Sequence, residues 1–162
     1  LHHMFLAVDF QLMGSSLKGT YLWPIVAISN ICQGSAAFGA WLIYKRRKMA
    51  KEEGLALTSG VSAFLGVTEP AMFGVNLPLK VPFFAAICTS GILGAVIGAN
   101  RVLGNVGVGG VPAFISIQSK YWYIYIPVIL LAMILPAVLT VVFSKFTKVK
   151  AKEMIENQND IK

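Results

Sequence analysis

Three stretches of this 162-residue chain carry no charged residue and are long enough to cross a bilayer. They comprise residues 19–44, 81–100 and 121–144, which are 26, 20 and 24 residues long. About 20 residues of α-helix cross the hydrocarbon core of a membrane. A soluble domain of this length has too small a core to bury so much apolar chain. The pattern therefore predicts an all-α integral membrane protein.

The charged residues support this prediction because they gather beside the apolar stretches. They make up 13% of the chain, against about 25% in soluble domains. Eleven of the 21 fall in two clusters, at residues 45–53 and 145–152. Basic residues at the end of a span favour the cytoplasmic side. The net charge of +7 lacks the interleaved surface aromatics of a nucleic-acid interface, so no nucleic-acid partner is predicted.

The positions of the two basic clusters restrict the number of crossings. If both are cytoplasmic, an even number of crossings lies between them, yet residues 54–79, 81–100 and 121–144 are all nearly free of charge. The first of these contains Pro70, Asn76 and four glycines. Irregular backbone at membrane depth persists only inside protein or beside water. We therefore predict a re-entrant hairpin over residues 54–80.

Glu69 is the only charged residue between residues 54 and 79. A carboxylate at membrane depth costs about 2.5–3.5 kcal/mol on insertion scales, which makes it a candidate functional group. Pro70 follows directly and disfavours the helical conformation for the residue before it. We therefore expect a break in the chain at Glu69, at the tip of the hairpin, and a binding site around a buried acid.

The segment 101–120 joins the last two spans. Its glycine-rich run at residues 104–110 is a poor helix former, and it lacks the pattern of a phosphate-binding loop. We predict a flexible or tightly packed connection that is extracytoplasmic or partly re-entrant.

Other polar candidates lie within or beside the spans. Asn30, Gln33 and Ser35 lie inside the first stretch, where polar side chains either pair helices, the commoner outcome, or line a hydrophilic path. His2 and His3 are adjacent, so they point to different helix faces, and no acidic residue or cysteine accompanies them at ligand spacing. No metal site and no cofactor is predicted.

Three segments together resemble a known family: Leu1-His2-His3-Met4, the run NICQGSA at residues 30–36 and the run GVTEPAMFGVNL at residues 66–77. The chain is similar to the C-terminal part of a bacterial phosphotransferase system sugar permease, enzyme IIC of the glucose superfamily, of the sucrose/trehalose IIBC type. The resemblance covers residues 1–145, and residues 146–162 are predicted to form a cytoplasmic tail. Because residue 1 is Leu rather than Met, we interpret the sequence as a fragment without its N-terminal part.

The resemblance implies a fold, a function and a set of site residues. The fold is the transport-domain part of an enzyme IIC, with transmembrane helices and a re-entrant hairpin. The function is binding and translocation of a disaccharide such as sucrose or trehalose, coupled to its phosphorylation. Glu69 would bind the sugar and orient or deprotonate its hydroxyl. The other substrate-binding residues implied are Thr68, Asn76, Asn30, Gln33 and, from the histidine pair, His3 in preference to His2.

The partners that the resemblance implies are the sugar, the IIB and IIA phosphocarrier domains and ultimately HPr, together with a second copy in a homodimer. The location is the bacterial cytoplasmic membrane, as a multi-pass protein in the lipid bilayer. No cysteine segment of a IIB domain occurs in the sequence, so the phosphocysteine is expected on a partner, and enzyme activity of this chain is left open. Two alternatives remain at this point, an ion-coupled secondary transporter and an inactive truncated membrane fragment.

Overall fold

The computed structural model describes residues 11, 14, 19–107 and 109–159, with side chains as far as residue 145. Four long helices form the framework: α1 (Leu22–Arg46), α2 (Ala50–Phe64), α3 (Val81–Ala99) and α4 (Trp122–Asn159). A π-helix (Pro70–Asn76) lies between α2 and α3 and runs into a single α-helical turn (Leu77–Leu79). Two short 3-10 helices (Val111–Ser116 and Ser119–Tyr121) precede α4. The described part of the chain contains no β-strand, which confirms the all-α prediction.

Three of the described helical segments are long and apolar enough to cross a membrane: Leu22–Arg46, Val81–Ala99 and Ser119–Lys145. They coincide with the three uncharged stretches of the sequence, which confirms that each stretch forms a long apolar helix; that they cross a membrane stays a prediction. Neither α2 nor the π-helix is among them. The segment that the charge pattern predicts not to cross therefore consists of the 15-residue α2, the π-helix and one α-helical turn.

α1 is the central helix of the molecule, because α2, α3, α4 and the π-helix all pack against it. Small side chains allow this close packing on several sides. A Cβ at Gly39 would lie 2.8 Å from the Thr140 Cβ and 2.9 Å from the Ala137 carbonyl oxygen, so the backbones of α1 and α4 nearly touch. On another side, the rings of Phe38 and Phe64 stack with centroids 5.1 Å apart and join α1 to α2.

A proline in the middle of α4 disturbs the helix where α1 approaches it. Pro136 is buried and donates no backbone N–H. One residue later, the Ala137 N–H donates to the Ser35 hydroxyl (3.1 Å), and that hydroxyl donates to the Met133 carbonyl oxygen (2.6 Å). Ala137 and Met133 are the pair that a regular helix joins directly. The Ser35 side chain thus bridges the helix beside its proline, which is a recognised cause of helix distortion.

α2 ends in a Schellman motif, which starts the break between the two limbs of the hairpin. The Val67 N–H donates to the Ser62 carbonyl oxygen and the Gly66 N–H to the Ala63 carbonyl oxygen, both at 3.0 Å. Gly66 has φ +103°, a left-handed conformation that favours glycine. The chain then turns into the π-helix, which packs against both α1 and α2. The two limbs form the predicted hairpin, and its re-entry into a membrane stays a prediction.

The glycine-rich segment after α3 packs back onto this hairpin. Its start pairs with Thr20, two residues before α1. The Thr20 N–H donates to the Gly104 carbonyl oxygen (2.8 Å) and the Gly104 N–H to the Thr20 carbonyl oxygen (3.1 Å). Further on, Gly109 lies against Gly66, where a Cβ on Gly66 would be 3.0 Å from the Gly109 backbone. Of the two forms predicted for this run, the tightly packed connection is the one observed.

The segment also follows α1 lengthwise. Its start lies beside Thr20, whereas Gly109 lies against the side chain of Asn30, ten residues along the chain and roughly 15 Å along a helix. Whether extracytoplasmic or partly re-entrant, the position of this segment relative to a membrane stays a prediction.

One local prediction is wrong. Glu69 has φ −55° and ψ −45°, so it is helical despite the following proline. Pro70 is the first residue of the π-helix, where a missing N–H removes no helical hydrogen bond. The break lies upstream, between Leu65 and Thr68, and glycine rather than proline makes it possible.

The two glycines of α2 and its cap are expected to respond oppositely to alanine. Gly66→Ala places a Cβ at positive φ and 3.0 Å from the Gly109 backbone, so it should lower the free energy of unfolding by about 1–3 kcal/mol. Gly54→Ala adds a Cβ that meets nothing within 4 Å on a helix, and should raise the same quantity by about 0.5–1 kcal/mol. SDS titration in mixed micelles, followed by circular dichroism, measures both. Equal effects of the two substitutions would contradict the assigned cap.

A second pair of variants tests the bridge to α4. Ser35→Ala removes the hydroxyl that satisfies Met133 and Ala137, and should cost about 1–3 kcal/mol in the same titration. Ser90→Ala is the matched control, because the Ser90 hydroxyl donates only to the Ile87 carbonyl of its own helix. A change within about 0.5 kcal/mol is expected for the control. The bridge is not structural if Ser35→Ala behaves like Ser90→Ala.

Candidate functional site

Two of the predicted site residues form a buried hydrogen-bonded pair between α1 and the π-helix. The Asn76 side-chain amide donates to the Gln33 side-chain oxygen Oε1 (2.7 Å) and to the Gln33 backbone carbonyl oxygen (2.9 Å). Asn76 is fully buried and Gln33 is buried. The Asn76 oxygen Oδ1 is buried without a hydrogen-bond partner among the described residues. We call this pair the amide pair; it ties the end of the π-helix to α1.

Two further predicted residues lie close to this pair in the sequence and are also buried. Asn30 lies one turn before Gln33 on α1, and the two residues share a helix face. The Asn30 amide nitrogen packs against Gly109, where it would be 2.9 Å from a Cβ. Thr68 is buried, and its carbonyl oxygen accepts from the Met72 N–H (2.8 Å) at the start of the second limb. Asn30 thus contacts the glycine-rich segment, and Thr68 lies at the junction of the hairpin limbs.

Glu69 has a different environment from these amides, because its side chain is exposed. The π-helix buries Ala71, Val75 and Asn76 and exposes Glu69 and Phe73. Its buried residues face the neighbouring helices, and no described residue covers the other side. The prediction of a buried acid is therefore wrong for the described part of the chain. Glu69 caps the start of the π-helix and is exposed, whereas Asn76 of the amide pair lies at its end and is buried.

The π-helix itself is a candidate feature of a site. The Leu77 N–H donates to the Met72 carbonyl oxygen, five residues earlier, which is the spacing that defines this helix. Segments of π-helix occur frequently at functional sites. Here the wide turns carry an exposed carboxylate at one end and a buried amide at the other.

The remaining sequence predictions divide into those that the structure describes and those that it does not. Ser35 pairs α1 with α4, which is the commoner of the two outcomes considered for polar residues of that span. His2 and His3 lie outside the described residues, so their roles stay predictions.

The sequence reasoning missed the part played by Gly66 and Gly110, which both have positive φ. Gly110 packs directly on the Phe64 carbonyl oxygen, so the glycine-rich segment lies against the end of α2. A glycine just after an apolar helical stretch is a known signal for such a cap.

The chain was compared with known protein families. The family model described as "Phosphotransferase system, EIIC" matches residues 1–91, which is more than half of the chain. No solved structure matches the chain.

Curated relatives match over most of this chain but over a smaller share of their own length. The chain is 50% identical over 147 residues to the "PTS system trehalose-specific EIIBC component" of Bacillus subtilis (strain 168), a match that covers 90% of this chain and 31% of that protein. It is 43% identical to the protein of the same description from Escherichia coli (strain K12), covering 86% of this chain and 29% of that protein. It is 48% identical to the "PTS system sucrose-specific EIIBC component" of Staphylococcus xylosus, covering 77% and 27%. The chain thus spans less than a third of the length of these relatives.

The family match and the three long apolar helices both indicate a membrane protein. The chain belongs to the phosphotransferase system EIIC family of membrane proteins.

Proposed function

We propose that this chain is part of the permease of a phosphoenolpyruvate-dependent sugar phosphotransferase system, and that it binds and translocates a disaccharide such as trehalose or sucrose. The observation that carries the proposal is the exposed carboxylate of Glu69 on a π-helix that is tied to the central helix from its other side. Its support in sequence is the 50% and 48% identity to trehalose-specific and sucrose-specific EIIBC components.

A carboxylate suits a sugar because it is a pure acceptor with two oxygens. It can accept hydrogen bonds from two neighbouring hydroxyls, and a charge-assisted bond of this kind contributes about 1.5–3 kcal/mol. In the described chain Glu69 is exposed, so a ligand can reach it. The imidazole of His3, or of His2, would supply one donor and one acceptor to a neighbouring hydroxyl.

Glu69 would also serve the phosphorylation step. The oxygen of a sugar hydroxyl attacks the phosphorus of a phosphocysteine on the IIB partner, the P–S bond breaks, and the cysteine leaves as a thiolate. The proton of the hydroxyl passes to the Glu69 carboxylate. Phosphoryl transfer depends mainly on alignment of the attacking and leaving atoms, so a carboxylate that fixes the hydroxyl contributes through position as well as basicity.

The amide pair has a supporting part in this proposal. The Asn76 side-chain amide donates to both the side-chain and the backbone oxygen of Gln33, so it is engaged within the protein. The effect of these hydrogen bonds is to fix the end of the π-helix on α1, and with it the position of Glu69. Asn30 and Thr68 would act in the same way at the tip of the hairpin, where both are buried.

The remaining parts of the proposal concern partners and location. We place the chain in the bacterial cytoplasmic membrane as a multi-pass protein, with the loop at residues 45–53 facing the cytoplasm. Phosphate would arrive through IIA and IIB domains and ultimately from HPr, and two copies would form a homodimer.

Removal of the Glu69 charge provides the direct test. Glu69→Gln keeps the size of the side chain but replaces charge-assisted bonds by neutral ones, so the affinity for the sugar should fall at least about tenfold. Uptake of radiolabelled trehalose and sucrose is measured in cells that supply the other phosphotransferase components, and is normalised to the amount of protein in the membrane. Glu53→Gln is the matched control, since it removes one negative charge from the first turn of α2. Undiminished uptake by Glu69→Gln would exclude the proposed role.

The energy source separates the proposal from ion-coupled transport. In membrane vesicles, uptake should require phosphoenolpyruvate and should deliver sugar phosphate. Uptake that instead follows a sodium or proton gradient and delivers free sugar would contradict it.

A double-mutant cycle tests the supporting part of the amide pair. Asn76→Leu removes the donor to the buried Gln33 oxygen Oε1 and should lower the free energy of unfolding by about 1–3 kcal/mol. Adding Gln33→Leu removes the buried side-chain acceptor and should restore part of that loss. SDS titration of the four proteins gives the coupling energy. Additive losses would contradict a paired role for these residues.

A further inference from the structure

Two adjoining cavities lie between the C-terminal end of α1 and α4. One, of about 200 Å³, is lined mainly by apolar groups that include Ala40, Leu79 and Pro82. The other, of about 280 Å³, is lined by Arg46, Arg47 and Lys145 together with Ile43, Val141 and Ser144. Three residues, Ile43, Arg47 and Ser144, line both cavities, so the two lie side by side. We call the combined space the basic cleft.

The basic cleft lies where two membrane spans end. The spans Leu22–Arg46 and Ser119–Lys145 end at residues that line it. Three of its lining side chains are cationic, and none of the described residues that line either cavity is acidic. The apolar cavity extends from this end along the spans, towards Ala40 and Thr140. The cleft therefore joins an apolar channel at membrane depth to a concentration of positive charge at the membrane boundary.

A buried polar group in the apolar cavity points to an occupant. Thr140 lines that cavity and is fully buried, yet its hydroxyl has no hydrogen-bond partner among the described residues. A buried hydroxyl without a partner is unfavourable by about 1–3 kcal/mol. The hydroxyl oxygen is itself covered, so an acceptor from a molecule in the cavity, such as an ester oxygen, would satisfy it after rotation of the Thr140 side chain.

We propose that the basic cleft is a binding site for an anionic phospholipid of the cytoplasmic leaflet. The lipid phosphate lies between Arg46, Arg47 and Lys145. One acyl chain enters the apolar cavity, with its ester oxygen near Thr140. Basic pockets between transmembrane helices on the cytoplasmic side are the known setting for anionic headgroups. Arginine is suited to the phosphate because its guanidinium group donates two parallel hydrogen bonds.

Because the apolar cavity and the cationic cavity lie side by side, they favour a lipid over a free phosphate ion as the ligand. A free ion needs only the cationic part and leaves the apolar cavity empty. A phospholipid occupies both parts and anchors the ends of α1 and α4 at the same level in the bilayer. This inference is independent of the proposed sugar site, which lies on the hairpin and uses none of these residues.

Native mass spectrometry of the complete 162-residue chain in detergent tests the proposal. The probes are dioleoyl phosphatidylglycerol and dioleoyl phosphatidylcholine, which share acyl chains and differ in net charge. The phosphatidylglycerol should bind at least about tenfold more tightly, since each basic residue near an anionic surface contributes about fivefold. The double variant Arg46→Gln/Arg47→Gln should lose this preference. Equal binding of the two lipids by the unaltered chain would overturn the proposal.

Two further comparisons control for charge and for folding. Lys48→Gln/Lys51→Gln removes the same charge from the same basic cluster at exposed positions outside the cleft, and should keep the preference for phosphatidylglycerol. Ser144→Leu fills the cleft without changing its charge and should weaken phosphatidylglycerol binding, with circular dichroism confirming an unchanged fold. The proposal is wrong if the two double variants lose binding equally, or if excess inorganic phosphate displaces the lipid completely, which would identify a site for a free anion.

Discussion

The structure depends on one constraint, which is that hydrocarbon offers no hydrogen bond to a broken helix. Protein groups support the chain at three irregular points of the described structure. The Ser35 hydroxyl satisfies the backbone beside Pro136, the Schellman motif satisfies the end of α2, and Gly110 packs on the Phe64 carbonyl. α1 provides the surface for much of this packing, because its small residues allow α2, α3, α4 and the π-helix to approach it closely. The sugar-binding proposal rests on this arrangement, since an irregular segment with a carboxylate is tolerable only where the rest of the protein supports its backbone.

Much of this fold was predictable from charge and length. The three long apolar helices follow from uncharged stretches of at least 20 residues, whereas the non-crossing segment, predicted by counting crossings between two basic clusters, stays a prediction. These inferences hold because a bilayer imposes its thickness and its charge preference on every sequence that enters it. The pairing partners were not predictable, because contacts such as Asn76 with Gln33, 43 residues apart, depend on how helices rotate against each other. The sequence placed polar residues within the spans but did not identify which of them meet.

The two errors about Glu69 have a common origin in local reasoning. Proline disfavours a helical residue before it, but at the start of a helix that preference yields to the hydrogen bonds formed downstream. Burial was inferred from the apolar neighbours of Glu69 in sequence, whereas in a helix those neighbours lie on different sides. Asn76 is fully buried and Phe73 is 58% exposed, although they are only three positions apart. The periodicity of one short π-helix therefore decides which polar residues support the structure and which are open to a ligand.

The exposure of Glu69 also limits what can cover the outer side of the hairpin. A carboxylate against hydrocarbon costs about 2.5–3.5 kcal/mol, so in the membrane that side must meet water, another part of a protein or a polar ligand. The exposed residues beside it, Val67, Phe73 and Leu77, are apolar and would be unfavourable against bulk water over so large an area. The proposed function meets both conditions, because a sugar would present hydroxyls to the carboxylate and its apolar faces to the neighbouring side chains. The basic cleft shows the same logic at the membrane boundary, where an apolar channel and a cationic opening together define an amphipathic ligand.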